Sequence, residues 1–123
     1  MPLLETSSNG DVLTIQFSEA KILDLLVIQN IQSELLATLG KTTEKTVVLD
    51  FSNVKFLSSG ALGMLVRAHK KCKEYKVNMV MCRLIPSIRE VFTLTGLDKA
   101  LQIVDDPSEA AGAGAKKKGW FSR

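Results

Sequence analysis

TVVLDFSNVKFLSSGALGML, residues Thr46 to Leu65, changes its apolar pattern halfway along. Thr46–Phe51 is a short, nearly continuous apolar run, as expected of a strand covered on both faces or lying in a sheet centre. From Ser59 onward the apolar residues recur at helical spacing. Leu62, Leu65, Val66, Ala68 and Cys72 fall on one side, and Arg67, Lys70, Lys71 and Glu74 on the other. A buried strand running into an amphipathic helix is half of a βαβ unit, so the segment points to an α/β domain with parallel strands. The join between the two halves holds Ser58, Ser59 and Gly60.

Upstream, ETSSNGDVLTIQF (residues 5–17) reads as a β-hairpin with its turn at Asn9-Gly10. Leu13, Ile15 and Phe17 alternate with Thr14 and Gln16, so one face of the second strand is buried. DLLVIQNIQSELLATLG (24–40) reads as a helix with Asp24 as N-cap and Gly40 as its stop. Ile28, Ile31, Leu35 and Leu39 form its inner stripe, opposite Asn30 and Ser33. Downstream, KVNMVMC (76–82) is a strand and IPSIREVFTLTGL (85–97) a helix with Pro86 in its first turn. Ile88, Val91, Phe92 and Thr95 make that helix's inner face, and Gly96-Leu97 its C-terminal cap. LQIV (101–104) is a last short strand. The expected order is β-β-α-β-α-β-α-β: one α/β domain over residues 1–106, a mixed, mostly parallel sheet preceded by an N-terminal hairpin. Residues 107–123 are expected to be a flexible basic tail.

A chain of 123 residues has the length of one domain and can bury a core without disulfides or metal. The formal net charge of +3 is misleading, because the last eight residues, KKKGWFSR, hold four bases and no acid. Residues 1–115 are close to neutral, at −1, which argues against a face built for nucleic acid. Two cysteines, Cys72 and Cys82, and one histidine, His69, make neither a disulfide framework nor a metal motif. MPLLETSSNG lacks the marks of a signal peptide, and no stretch approaches a membrane span. A reduced, cytoplasmic setting is expected.

Three chemistries compete at Ser58-Ser59-Gly60. A serine before a helix is a favoured N-cap, since its oxygen accepts a bond from a first-turn amide. Nucleophilic catalysis fails on two counts. The G-x-S-x-G elbow is missing, with Phe56 and Leu57 two residues before the serines. His69 would stand roughly 15 Å along the helix, at 1.5 Å per residue, too far to act as a general base. The third reading is a phosphate acceptor. A helix N-terminus tolerates an anion, and phosphoserine adds about −1.5 to −2 charge without melting the fold.

From Thr46 to Asp106 the chain resembles a STAS domain, and more narrowly the anti-sigma factor antagonists of bacteria. The likeness rests on the apolar strand with Asp50, the Ser58-Ser59-Gly60 start of a helix, the Pro86 helix and Thr95-Gly96-Leu97 before the last strand. The N-terminal hairpin and first helix are compatible with it, extending it to about residues 9–106. The family motif is Asp-Ser-Ser/Thr-Gly, whose first serine is phosphorylated by an anti-sigma factor that is itself a serine protein kinase. The resemblance implies that Ser58 is the acceptor, with Ser59 as second choice. It further implies that the unphosphorylated protein binds the kinase and that a serine phosphatase resets it. Leu57 stands where the family has aspartate. Val54, Phe56, Leu57, Ser58, Ser59, Gly60 and Met64 are the expected partner contacts. No cofactor is implied, since nucleotide enters only as the kinase's substrate. The alternative is a constitutive, unphosphorylated STAS scaffold in a larger signalling or transport assembly. His69 is expected on the surface, and Cys72 and Cys82 in the core. The tail's lysines with Trp120 and Phe121 would at most touch a membrane weakly.

Overall fold

The computed structural model describes residues 3–105. Strands β1 (Leu4–Asn9) and β2 (Val12–Phe17) form the expected hairpin, joined by Gly10 and Asp11. The turn therefore sits one residue later than Asn9-Gly10, because Gly10 takes the left-handed φ of 64° at the first loop position. Helix α1 (Leu25–Lys41) buries Ile28, Ile31, Leu35 and Leu39, the expected stripe. Asp24 is its N-cap by backbone alone: Ile28 N donates to Asp24 O at 2.9 Å and the carboxylate makes no capping bond. Gly40 does not stop the helix, which runs on to Lys41 and closes at Thr42.

Strand β4 (Thr46–Asp50) is buried throughout and lies between β2 and β6 (Asn78–Cys82), parallel to both. β7 (Gln102–Val104) pairs in parallel with β6, giving the order β1-β2-β4-β6-β7. Each crossover adds its strand on the same side of the last. With right-handed connections this places the crossover helices on one face. Accordingly α1, α2 (Ser59–Glu74) and α3 (Pro86–Thr95) share one core with Leu13, Ile15, Phe17, Val47, Leu49, Met79 and Met81. Phe51 joins Phe17 at 4.9 Å and Phe92 at 6.4 Å between ring centroids, tying the β4 end to α3. The opposite sheet face carries a smaller cluster of Val48, Val80, Cys82 and Val104.

Three further details depart from the sequence reading. The α2 inner stripe is Ala61, Met64, Leu65, Ala68 and Cys72, while Leu62 and Val66 are only half-buried. In α3, Ile88 and Phe92 face inward but Thr95 is exposed; its hydroxyl donates to Val91 O at 2.8 Å. Gly96, with φ 77°, ends α3 as expected and starts the short helix α4 (Leu97–Ala100), which the sequence did not announce. Two strands of two residues each, β3 (Lys21–Ile22) and β5 (Phe56–Leu57), make a separate parallel pair. The expected tail, residues 107–123, lies outside the described residues.

Candidate functional site

The segment between β4 and α2 is fixed at several points before it reaches Ser58. Asp50 is buried, and its Oδ1 accepts from Ser52 N at 2.9 Å. Its Oδ2 lies 3.5 Å from Arg83 Nη1, and Arg83 adopts a φ of 58° in the turn after β6. Ser52 Oγ accepts from Gln16 Nε2 at 3.0 Å, and Asn53 Nδ2 donates to Phe17 O at 3.3 Å. Lys55 N and Phe56 N both donate to Ala20 O, and Ser58 N donates to Ile22 O at 3.1 Å. These bonds make the loop an extension of the sheet rather than a free connection, so the residues that follow have a defined position.

Ser58 then does what a helix cap does. Its backbone is extended, at φ −91° and ψ 170°, and its Oγ accepts from Ala61 N at 3.3 Å. Its carbonyl accepts the first helical bond, from Leu62 N at 3.1 Å. The first-turn amides of a helix lack intrahelical partners and carry partial positive charge. No acidic side chain occupies the first turn of α2 to offset that charge. Because Oγ is the acceptor in the cap, its own O–H proton is not committed to that bond. Ser58 is half-buried, whereas Ser59, the first helical residue, is exposed. The two hydroxyls are thus distinguished by position: one caps the helix and the other belongs to an exposed residue of its first turn.

Around this point the surface is apolar. Phe56 is 53% exposed and carries Lys21 Nζ over its ring at 5.8 Å. Leu57 is half-buried, placed by its pairing with the buried Ile22. Leu23 follows Ile22, beside Ser58, and is exposed. A Cβ on Gly60 would stand 3.4 Å from Ile28 Cδ1, so the first turns of α1 and α2 meet closely there. One turn before Ile28, Leu25 and Leu26 are 67% and 61% exposed. Scattered exposed leucines are ordinary, but a cluster beside a helix start marks a surface able to bury area against a partner.

Of the expected partner contacts, Phe56, Leu57, Ser58, Ser59 and Gly60 reach this surface at least in part. Val54 and Met64 do not: both are buried, and this corrects their assignment as contacts. Val54 is turned inward by its amide bond to Phe51 O at 2.9 Å, and Met64 lies on the inner stripe of α2. Leu23, Leu25 and Leu26 were missed. Leu25 is in phase with the α1 stripe, so a stripe one turn longer than the core it covers was the available signal.

Other groups fall away from this site. His69 lies along α2, near the opposite end of the sheet, where it lines a cleft with Lys73 and Asn78. Burial pushes the Cys72 thiol up to about 11, so it stays protonated and unreactive at neutral pH. Among the described residues, no group of three or more His, Cys, Asp or Glu is placed to hold a metal ion, and no helix is long and apolar enough to cross a membrane.

The family model for the STAS domain matches residues 4–110. The chain is 29% identical over 85 residues to a Bordetella bronchiseptica protein named as anti-sigma factor antagonist BtrV, covering 69% of this chain and 72% of the relative. Its fold is similar to that of an anti-sigma-factor antagonist (STAS) domain protein from Planctomyces limnophilus, with a TM-score of 0.77 and 25% identity over 89% of this chain and 95% of that one. The Bacillus cell fate determinant SpoIIAA in its phosphorylated form shares the fold at a TM-score of 0.66 and 15% identity, over 91% of this chain and 98% of that one.

Proposed function

The chain belongs to the STAS domain family, and on that premise we propose that it is a cytoplasmic anti-sigma factor antagonist that switches partners through Ser58. In this reading the unphosphorylated protein binds an anti-sigma factor that is also a serine kinase, using the apolar rim of Leu23, Leu25, Leu26, Phe56 and Leu57. The observation that carries it is the setting of Ser58: a half-buried N-cap hydroxyl with exposed apolar side chains around it.

Phosphorylation moves the γ-phosphoryl group of ATP to Ser58 Oγ. The O–H proton passes to a base of the kinase and ADP leaves. The product is tolerated locally, because the α2 terminus has no carboxylate in its first turn and its amides favour an anion. The interface is not so tolerant. A partner packed on the apolar rim would have to bury a dianion without a matching charge, and a loss of about 3 kcal/mol weakens binding roughly a hundredfold. Release then needs no change of fold. A serine phosphatase would restore the binding form. The chain acts here as a regulator, not as an enzyme.

One residue favours a second reading. Leu57 replaces the aspartate that precedes the acceptor in the antagonists, so no carboxylate from that position can orient the Ser58 hydroxyl or guide a kinase. A constitutive scaffold that binds through the same rim needs no such carboxylate. Intact-mass spectrometry of the protein purified from its own host, with peptide mapping of residues 56–67, separates the two. One phosphate on Ser58, absent from Ser58→Ala, supports the switch. Its absence under every growth condition, and after incubation with the host's kinases and ATP, leaves the scaffold.

A further inference from the structure

The described helices use one face of the sheet. α1, α2, α3 and, through Leu97, α4 pack there with Leu13, Ile15, Val47, Leu49, Met79 and Met81. The other face carries Val48, Val80, Cys82 and Val104, with Val12 beside them, and no described helix adds a side chain to that cluster. The register sets these residues side by side: Val48 pairs with Val80, and Cys82 with Val104. β2, β4, β6 and β7 run parallel, and parallel sheets occur almost only with both faces covered. This face is shut off from water in the same way. Val48, Val80 and Cys82 are 0% exposed and Val104 4%. Even Asn78 Nδ2 and Gln102 Nε2, on the same face by register, are buried, with no hydrogen-bond partner among the described residues.

The chain itself holds a segment that fits this face. Val104 ends β7, an edge strand, and Asp105 is held beside it by Arg89 Nη1, which donates to Asp105 Oδ1 at 2.6 Å. Pro107 has no N–H with which to extend the β7 ladder. Residues 110–115, AAGAGA, are alanine and glycine alone, between Ser108-Glu109 and Lys116-Lys117-Lys118. The sheet face is built of short apolar side chains, and a glycine-rich, apolar backbone can approach such a surface closely. The length also suffices. With strands about 4.8 Å apart, crossing from β7 over β6 to β4 takes roughly 10 Å, and residues 108–115 span about 12 Å as a helix or about 26 Å extended. We propose that residues 110–115 lie across Val48, Val80, Cys82 and Val104 as a strap that forms the sheet's second covering layer. The KKKGWFSR end is then tied to the domain instead of trailing from β7. This strap is independent of any phosphorylation at Ser58.

The test is methyl NOE spectroscopy on the full chain over a dilution series. Cross-peaks are expected between the methyls of Ala110, Ala111, Ala113 and Ala115 and those of Val48, Val80 and Val104, unchanged per chain on dilution. Cross-peaks that fade as the mass falls from two chains to one would make a second copy the occupant and overturn the strap. So would the absence of cross-peaks. Thiol labelling under native conditions gives a second reading. In the full-chain variant Ala110→Asp/Ala111→Asp/Ala113→Asp, Cys82 should label at least about tenfold faster than in the unaltered chain, because burying carboxylates against the valines is unfavourable and the strap opens. Cys72, on the inner stripe of α2, should stay slow in both, which reports an intact fold. Equal Cys82 rates with Cys72 slow would mean that the strands alone shield this face, and would overturn the strap. If Cys72 labels as well, the variant has unfolded, and the cross-peaks of the unaltered chain decide.

Discussion

At its amino end α2 is met by Ser58, Ser59 and the exposed side chains of Leu25, Leu26 and Phe56; its last turn carries Lys71 and Lys73, with Lys76 just beyond. The helix dipole treats these ends differently. Lysines near a carboxyl terminus offset its partial negative charge, an ordinary stabilising arrangement worth about 0.3–1 kcal/mol each. The amino end lacks the complementary device, since no Asp or Glu occupies its first turn. Its positive character is left available, in surroundings that reward apolar contact. One helix therefore presents a neutral surface that a single phosphate would transform and, roughly 22 Å away at 1.5 Å per residue, a basic surface that is charged throughout.

The largest effect should fall on what the two ends share, the buried stripe between them. Met64→Ala removes a fully buried side chain and is expected to cost about 2–5 kcal/mol in urea unfolding. A change below about 0.5 kcal/mol would return Met64 to the surface and undo its correction.

Next comes the rim. Leu26→Ser/Phe56→Ser should leave the unfolding free energy within about 1 kcal/mol, because both side chains are largely exposed. Capture of the host kinase by the immobilised variant should nevertheless fall at least about tenfold. Equal capture would move the interface away from the α2 amino end.

The serines sharpen the contrast further. Ser58→Ala should cost about 1 kcal/mol by loss of the Ala61 cap. Ser59→Ala, at an exposed first-turn position, should stay within about 0.5 kcal/mol. Equal costs would mean that the two hydroxyls share the cap.

The smallest expected effect is at the carboxyl end. Lys73→Gln should lose about 0.3–1 kcal/mol at low salt, and less in high salt, as a screened dipole interaction requires. A loss that ignores salt would point to packing instead.

How legible all this was depends on how local each feature is. The alternation Leu13-Ile15-Phe17, the Ile28-Ile31-Leu35-Leu39 stripe and the Gly96 cap were readable, because period and cap chemistry act within a few residues. β3 and β5 were not. Two residues are too few to show a period, and their pairing joins Lys21 to Phe56 across the whole of α1 and β4. Val54 and Met64 looked like surface because they flank the serines in sequence. Their burial depends on the Phe51 turn and on which side of α2 faces the sheet. The acceptor hydroxyl was found by its local role, whereas its rim of Leu23, Leu25 and Leu26 comes from another element and was missed.

By itself, the sequence determined the order of the main elements, the buried face of most of them and the serine at the strand-to-helix join. Backbone periodicity and capping are settled between near neighbours. Only the tertiary structure decided which leucines remain uncovered and that Val54 and Met64 are buried. Exposure is a property of where neighbouring elements end. The β6–β7 pairing, with α3, the Gly96 cap and α4 in the intervening chain, likewise joins residues far apart in sequence, such as Val80 and Gln102.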